Sequence, residues 1–192
     1  MTDIDIESTL DLASVLAARW ADPDRFPVGE FDRAEHFYQQ RRRHDAALLV
    51  VREKAAALIR TWTGHESRDV GSFGLGLNLE ASDLDLGIGY PAEQREVLVA
   101  ALAGHAVFKG ERVTRFPAAD FSEGAPATTR LVFAFTVGGV EVDLSALTVE
   151  DFAVACRMLD DIEAHMTERE RVAHTWVKHL LRSSGRMQDY AE

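Results

Sequence analysis

Cysteine is almost missing from this chain: Cys156 is the only one. A single thiol excludes an internal disulfide and fits a reducing compartment, so a cytoplasmic protein is expected. In its context, "FAVACRML", Cys156 reads as a core residue, because free cysteine is commonly buried. Long apolar runs are missing too. No stretch reaches the ~18 residues of a membrane-spanning helix, so no membrane span is expected. The N-terminus, "MTDIDIESTLDLA", is acidic and lacks the basic-then-apolar form of a signal peptide. Lysine is scarce, at Lys54, Lys109 and Lys178 only, and the formal net charge is −11. That balance argues against a strong non-specific grip on nucleic acid, which needs a basic face. Arg41, Arg42 and Arg43 are the one dense basic group, and they read either as a solvated helix face or as a small local binding patch. The seven histidines form no zinc pattern: His174 and His179 are five apart, and "GHE" at Gly64–Glu66 has no second histidine at ligand spacing.

What is present is enough apolar material for an ordinary core, 46% of 192 residues. Ser8 or Thr9 can cap a helix running to Trp20, and "ADPDRFPVGE" then reads as a loop. Phe31 to Thr63 has helical periodicity, with Ala46, Leu49, Val50, Ala57 and Leu58 on or near one stripe, and Gly64 as a stop. The arginine group and His44 interrupt that face, which allows two helices instead of one. A short strand ends at Asp69-Val70, and Gly71-Ser72 then opens a turn or short helix. Ser82 to Tyr90 reads as a strand, and Pro91 opens a helix to Ala103. Val107 to Phe116 reads as a strand pair or a long bent strand. "PAADFSEGAPA" is a loop. Thr128 to Val137 and Val140 to Ala146 form a hairpin about Gly138-Gly139. Thr148 with Asp151, and Thr167 with Glu170, resemble capping boxes of two last helices, ending near Met166 and Ser183. Trp20, Trp62 and Trp176 read as core or helix-packing residues. The order predicts an α+β fold: a small mixed sheet over 65–147, flanked by N-terminal helices (1–64) and C-terminal helices (148–192) in one compact unit.

The chemistry concentrates in "DVGSFGLGLNLEASDLDLGIGY". Alternation along a strand places Asp83, Asp85, Gly87 and Gly89 on one face and Leu84, Leu86, Ile88 and Tyr90 on the other. Two acids beside two bare glycines leave room for a metal and a ligand. Such carboxylates suit one hard cation or a metal pair about 3.5–4 Å apart. In "GGVEVDLSAL", Asp143 lies on a strand whose other face is apolar, so it can join the pair if the strands are neighbours. Oxygen donors with open positions suit Mg²⁺. Upstream, Gly71 lets a phosphate approach the backbone and Ser72 offers a hydroxyl. Lys178, on the last helix, either reaches a triphosphate or sits on a solvated face. Arg130 either neutralises phosphate or pairs with Glu141 across the hairpin. A plain turn-capping role for Asp83 remains the bland alternative to all of this.

Taken together, Val70-Gly71-Ser72, ten intervening residues and Asp83-Leu84-Asp85-Leu86 resemble the signature of the DNA polymerase β-like nucleotidyltransferase superfamily. "GSFGLGLNLEASDLDL" is most similar to the poly(A) and terminal uridylyl transferase branch, and "VEVDL" matches the strand carrying a third acid. The resemblance spans Asp69 to Leu147. It implies that Asp83, Asp85 and Asp143 bind two Mg²⁺ or Mn²⁺ ions, and that Gly71 and Ser72 hold the β- and γ-phosphates of a nucleoside triphosphate such as ATP; Ser82 and Lys178 are further candidate contacts to it. A nucleoside monophosphate would pass to an acceptor hydroxyl with release of pyrophosphate. In size the chain is closer to the minimal members, which modify small molecules or a partner protein. The expected acceptor is therefore a small molecule, a nucleotide or a defined protein or RNA end. The N-terminal helices or a second copy of the chain would complete the base pocket. The alternatives are a nucleotide- or partner-binding module without turnover, and an RNA-tailing enzyme completed by a partner.

Overall fold

The computed structural model describes residues 29–79, 83–115 and 127–183. The expected N-terminal helix to Trp20, Trp20 itself, Ser82 and nearly all of the "PAADFSEGAPA" loop lie outside the described residues. Helix α1 (Glu30–Thr63) is followed by β1 (Ser67–Asp69), β2 (Leu84–Tyr90), a 3₁₀ turn (Ala92–Gln94) and α2 (Arg95–Leu102). Then come β3 (Val107–Arg115), β4 (Ala127–Val137), β5 (Val140–Thr148), α3 (Val149–His165) and α4 (Glu168–Ser183). The expected α+β class is what the chain adopts.

Among the described residues, two compact units share these elements: 29–45, 76–79 and 165–183 form one, and 46–75, 83–115 and 127–164 form the other. Helix α1 contributes to both. It runs unbroken because no glycine or proline falls between Glu30 and Thr63, so the arginine group does not divide it. Gly64 ends it as expected, at φ +74°, with its N–H donating to the Arg60 carbonyl at 2.9 Å.

In the smaller unit, Ala34 and Tyr38 of α1 and Val172 of α4 are buried together, with Phe31 and Trp176 packed on them. Trp176 Nε1 donates to Glu30 at 3.0 Å, and Phe37 lies against both Trp176 and His179. The capping box of α4 is real: the Thr167 N–H donates to Glu170, and the Glu170 N–H donates back to Thr167. Arg41 departs from a solvated face, since it is buried, whereas Arg42 is exposed and pairs with Glu168 at 3.7 Å.

The larger unit holds a five-stranded sheet in the order β1-β2-β5-β4-β3. β2 and β5 run parallel, and every other pair is antiparallel. Gly138 and Gly139, at φ +60° and +85°, make the two-residue turn between β4 and β5. β3 is one long strand with a bulge between Phe108 and Gly110. One sheet face carries Leu84, Leu86, Ile88, Leu131, Phe133, Val142 and Leu144, all buried, under Ala55 and Ile59 of α1 and Leu98 and Leu102 of α2. Each such large side chain contributes about 1.5–3 kcal/mol on burial.

The stripe that α1 buries here is not the one periodicity suggested. Ala55 and Ile59 face the sheet, with Val51 and Trp62 beside them, whereas Leu49 and Val50 are 51% and 52% exposed. The sequence from Ala46 to Leu58 is apolar over more than one face, so periodicity alone does not select the buried one. Trp62 does pack on the core and stacks on His105 at 4.8 Å. Cys156 is free and only partly buried.

Candidate active site

The second sheet face carries the chemistry. β2 and β5 pair so that Asp85 stands opposite Asp143 and Gly87 opposite Ser145. Neighbouring strands lie roughly 4.8 Å apart, and residues in register share a face. Asp85 and Asp143 are therefore adjacent and both half-buried, as the second residue of β2 and the fourth of β5. β4 runs alongside β5 with Ala134 opposite Asp143 and Val132 opposite Ser145. Alternation then puts Arg130 on this face as well, and its Nη1 donates to Ser145 Oγ at 3.3 Å. Arg112 on β3 is Arg130's partner in register. Glu141 pairs instead with Lys109, at 3.9 Å, so Arg130 serves the acid face and not the hairpin pair.

These charges shape one another. Burial, then Glu141, raises the Asp143 carboxyl above its ordinary value, while Lys109, Arg112 and Arg130 pull it back. Burial, then Arg112, lowers the Arg130 guanidinium, and Asp85 and Asp143 oppose that shift. The face therefore holds two carboxylates in a partly dry setting with a guanidinium in their field.

Asp83 stands immediately before β2 and is exposed. The strand begins at Leu84, two residues later than alternation suggested. Gly71 and Ser72 lie in a turn between β1 and β2, and no helix starts there. That turn is tied to the acids. The Val70 N–H donates to the Asp85 carbonyl at 3.2 Å, and Arg52 Nε donates to both carboxylate oxygens of Asp69 at 3.2 Å. A Cβ on Gly71 would lie 2.0 Å from Asp85 Oδ2 and 2.4 Å from Asp85 Cβ. Glycine is needed at 71 because the Asp85 side chain packs against it.

The two strand glycines have a different cause from the one alternation suggested. A Cβ on Gly87 would meet Val70 Cγ1 at 2.5 Å and Phe152 Cε2 at 2.9 Å, and one on Gly89 would meet Phe152 Cδ1 at 3.0 Å. They are bare so that Val70 and α3 can pack on the sheet, and the space beside them is filled. Arg68 and Asp160 pair and join β1 to α3. The Arg52–Asp69 clamp and the Ser145 partner of Arg130 were not foreseen. Only alternation in "TTRLVFAF" and "VDLSAL" signals the second.

The donor chemistry fits a hard divalent cation, since this face offers carboxylate oxygens and neither histidine nor thiol. The in-register Asp85–Asp143 pair is the fitting element. Among the described residues, no three of His, Cys, Asp and Glu are gathered closely enough to hold a metal ion. Lys178 lies on α4, in the smaller unit.

No model of a known protein family matches the chain, and no curated protein matches it in sequence. Solved structures do match. A chain of the GLD-2/RNP-8 complex aligns with 83% of this chain and 52% of its own length, at 15% identity and a TM-score of 0.50. The polymerase core of TRAMP, an RNA surveillance complex, aligns over 73% of this chain at 17% identity and a TM-score of 0.42. Cid1, described by its RNA terminal uridylyl transferase activity, aligns over 79% at 15% identity and a TM-score of 0.45. The chain spans about half the length of these structures. They are nucleotidyltransferase superfamily members, and what this chain shares with the first of them is the fold.

Proposed function

We propose that this chain is the core of a metal-dependent nucleotidyltransferase that moves a nucleoside monophosphate from a triphosphate to an acceptor hydroxyl, releasing pyrophosphate. The observation that carries the reading is the register of Asp85 with Asp143 on adjacent parallel strands, with the Gly71 turn packed on Asp85. Asp83, Asp85 and Asp143 would hold two Mg²⁺ or Mn²⁺ ions. Bound there, such ions neutralise phosphate charge and polarise the phosphorus centre. Gly71 offers close backbone approach and Ser72 a hydroxyl to the phosphates. Arg130 supplies fixed positive charge beside the acids.

The acceptor in this reading is a small molecule, a nucleotide or a defined protein or RNA end. The charge of −11 supports that choice over a long RNA gripped along its length. A partner or second copy completing the base pocket belongs to the same proposal, as does a cytoplasmic location.

Incubation with each labelled triphosphate, Mg²⁺ or Mn²⁺ and candidate acceptors tests it through pyrophosphate release. Absence of release with every acceptor, alongside triphosphate binding that chelator leaves unchanged in calorimetry, would favour a second reading: a nucleotide-binding module without turnover. One observation speaks for that reading, namely that the three acids are not gathered into a metal-holding group.

A further inference from the structure

The turn that carries Gly71 and Ser72 hangs from a slender support. β1 has three residues, lies at one edge of the sheet and is paired to β2 alone among the described strands. Strand ends with few ladder bonds open readily. Side chains fasten this strand from both faces of the sheet. Asp69 stands opposite Leu86 and so points to the buried face that α1 covers. There Arg52 of α1 shares its Nε–H between both Asp69 carboxylate oxygens, each at 3.2 Å. Arg68 stands opposite Gly87 and points the other way, where it pairs with Asp160 of α3.

Of these two fastenings, the Arg52–Asp69 pair reaches the turn. The turn leaves the strand at Asp69 and comes back to it, since a Cβ on Gly74 would lie 2.8 Å from Asp69 Cβ. Between those points the Val70 N–H donates to the Asp85 carbonyl at 3.2 Å, and Gly71 packs on the Asp85 side chain. α1 is a firm anchor, because Ala55 and Ile59, one and two turns beyond Arg52, are fully buried on the sheet. The two paired side chains are 31% and 21% exposed, so water and salt screen them less than a pair on the open surface. We propose that Arg52 and Asp69 are positioning residues, holding the Gly71–Ser72 turn in the conformation that receives the triphosphate. This role rests on the nucleotidyltransferase reading above, and it is exerted through the turn, not on the reacting atoms. A pair that only stabilised the fold would change how much protein is folded. A pair that places the turn changes the affinity of each folded molecule for the ligand.

Two measurements on the full chain test it, with Arg52→Gln to remove the charge and Arg52→Lys to keep it. In hydrogen exchange without metal or triphosphate, the Val70 amide of Arg52→Gln should exchange roughly ten-fold faster than in the wild type, with the Leu144 amide unchanged. In calorimetry, the wild type is titrated with Mg²⁺ and each of ATP, GTP, CTP and UTP, and the variants with the tightest binder. Arg52→Gln should bind it roughly ten-fold more weakly at unchanged stoichiometry, the scale of one lost hydrogen bond to a charged group. Arg52→Lys should recover most of that loss. Misfolding does the reverse, lowering the stoichiometry and leaving the affinity alone. Arg60→Ala, which breaks an exposed pair with Glu66 near the end of α1, should match the wild type in both measurements. Unchanged Val70 exchange in Arg52→Gln, or lower stoichiometry at wild-type affinity, would overturn the positioning role. A wild-type chain that binds none of the four triphosphates would instead overturn the nucleotidyltransferase reading, and this role with it, whatever the Val70 amide shows.

Discussion

Gly71→Ala is the sharpest probe of the acid face. Gly71 is not one of the positive-φ glycines, so the backbone itself accepts alanine. The obstacle is Asp85: the new methyl would lie 2.0 Å from Oδ2, 2.5 Å from Cγ and 2.4 Å from Cβ. A rotamer change can move the first two but not Cβ, which the β2 backbone fixes. The turn or the strand has to shift. Overpacking of this kind costs about 1–3 kcal/mol, which for a chain of this size lowers Tm by roughly 2–12 °C. The shift also displaces the Asp85 carboxylate, and a misplacement of about 1 Å costs on the order of 100-fold in rate. Thermal melts and pyrophosphate release should therefore both fall, with activity affected far more than fold. Gly104→Ala is the control: nothing lies within 4 Å of its added methyl, so a change within about 0.5 kcal/mol is expected. Asp85→Gly removes all three clashing atoms. Adding Gly71→Ala in that background should cost about 1–3 kcal/mol less than in the wild type. If Gly71→Ala melts and turns over like the wild type, Asp85 does not pack where the fold places it and the argument fails.

Alanine at Asp83, Asp85 or Asp143 is expected to abolish turnover while circular dichroism stays native, and removing either half-buried acid should raise the metal-free Tm by relieving like-charge repulsion. Turnover retained by Asp143→Ala would show that the third ligand lies elsewhere. Thr167→Ala should destabilise by about 0.5–2 kcal/mol through loss of the α4 cap, read as a lower denaturation midpoint. His174 titrates below its ordinary 6.5, first from burial and then from Lys178. The unfolded chain binds the proton more readily, so stability is full above pH 6.5 and falls as pH drops toward the lowered folded value. Urea melts across that range should show the slope in the wild type and a flatter one in His174→Gln. Generic single-stranded RNA should bind weakly in gel shifts at two salt concentrations, and tight, salt-sensitive binding would restore the RNA-tailing reading.

Much of this was legible in the sequence where local rules act alone. Gly138-Gly139 demands a tight turn, and Thr167 with Glu170 demands a helix start, so both stand where expected. Alternation likewise separated Asp143 and Ser145 from Val142 and Leu144. Legibility fails where a second element decides. Leu49 and Val50 are as apolar as Val51, yet only the position of the sheet selects which of them is buried. Gly87 and Gly89 looked like open floor because nothing local reveals that Phe152, from a helix far along the chain, lies over them. The pairing of Asp85 with Asp143 was conditional on strand adjacency, which alternation cannot supply. Arg130 shows both limits: its face followed from period two, but its choice of Ser145 over Glu141 needed the register of β4 on β5.

The parallel pairing of β2 with β5 also bears on how the acid face is assembled. The β4–β5 hairpin closes over two residues, an event of microseconds in isolation. β2 cannot join it by such a local step, because a helix and two strands intervene in the chain and the closure entropy of that long loop must be met first. Asp85 and Asp143 therefore meet only when the sheet's least local contact forms. During synthesis the face stays incomplete until β5 has left the ribosome. Partly folded chains should consequently show hairpin protection in hydrogen exchange well before they show any affinity for metal.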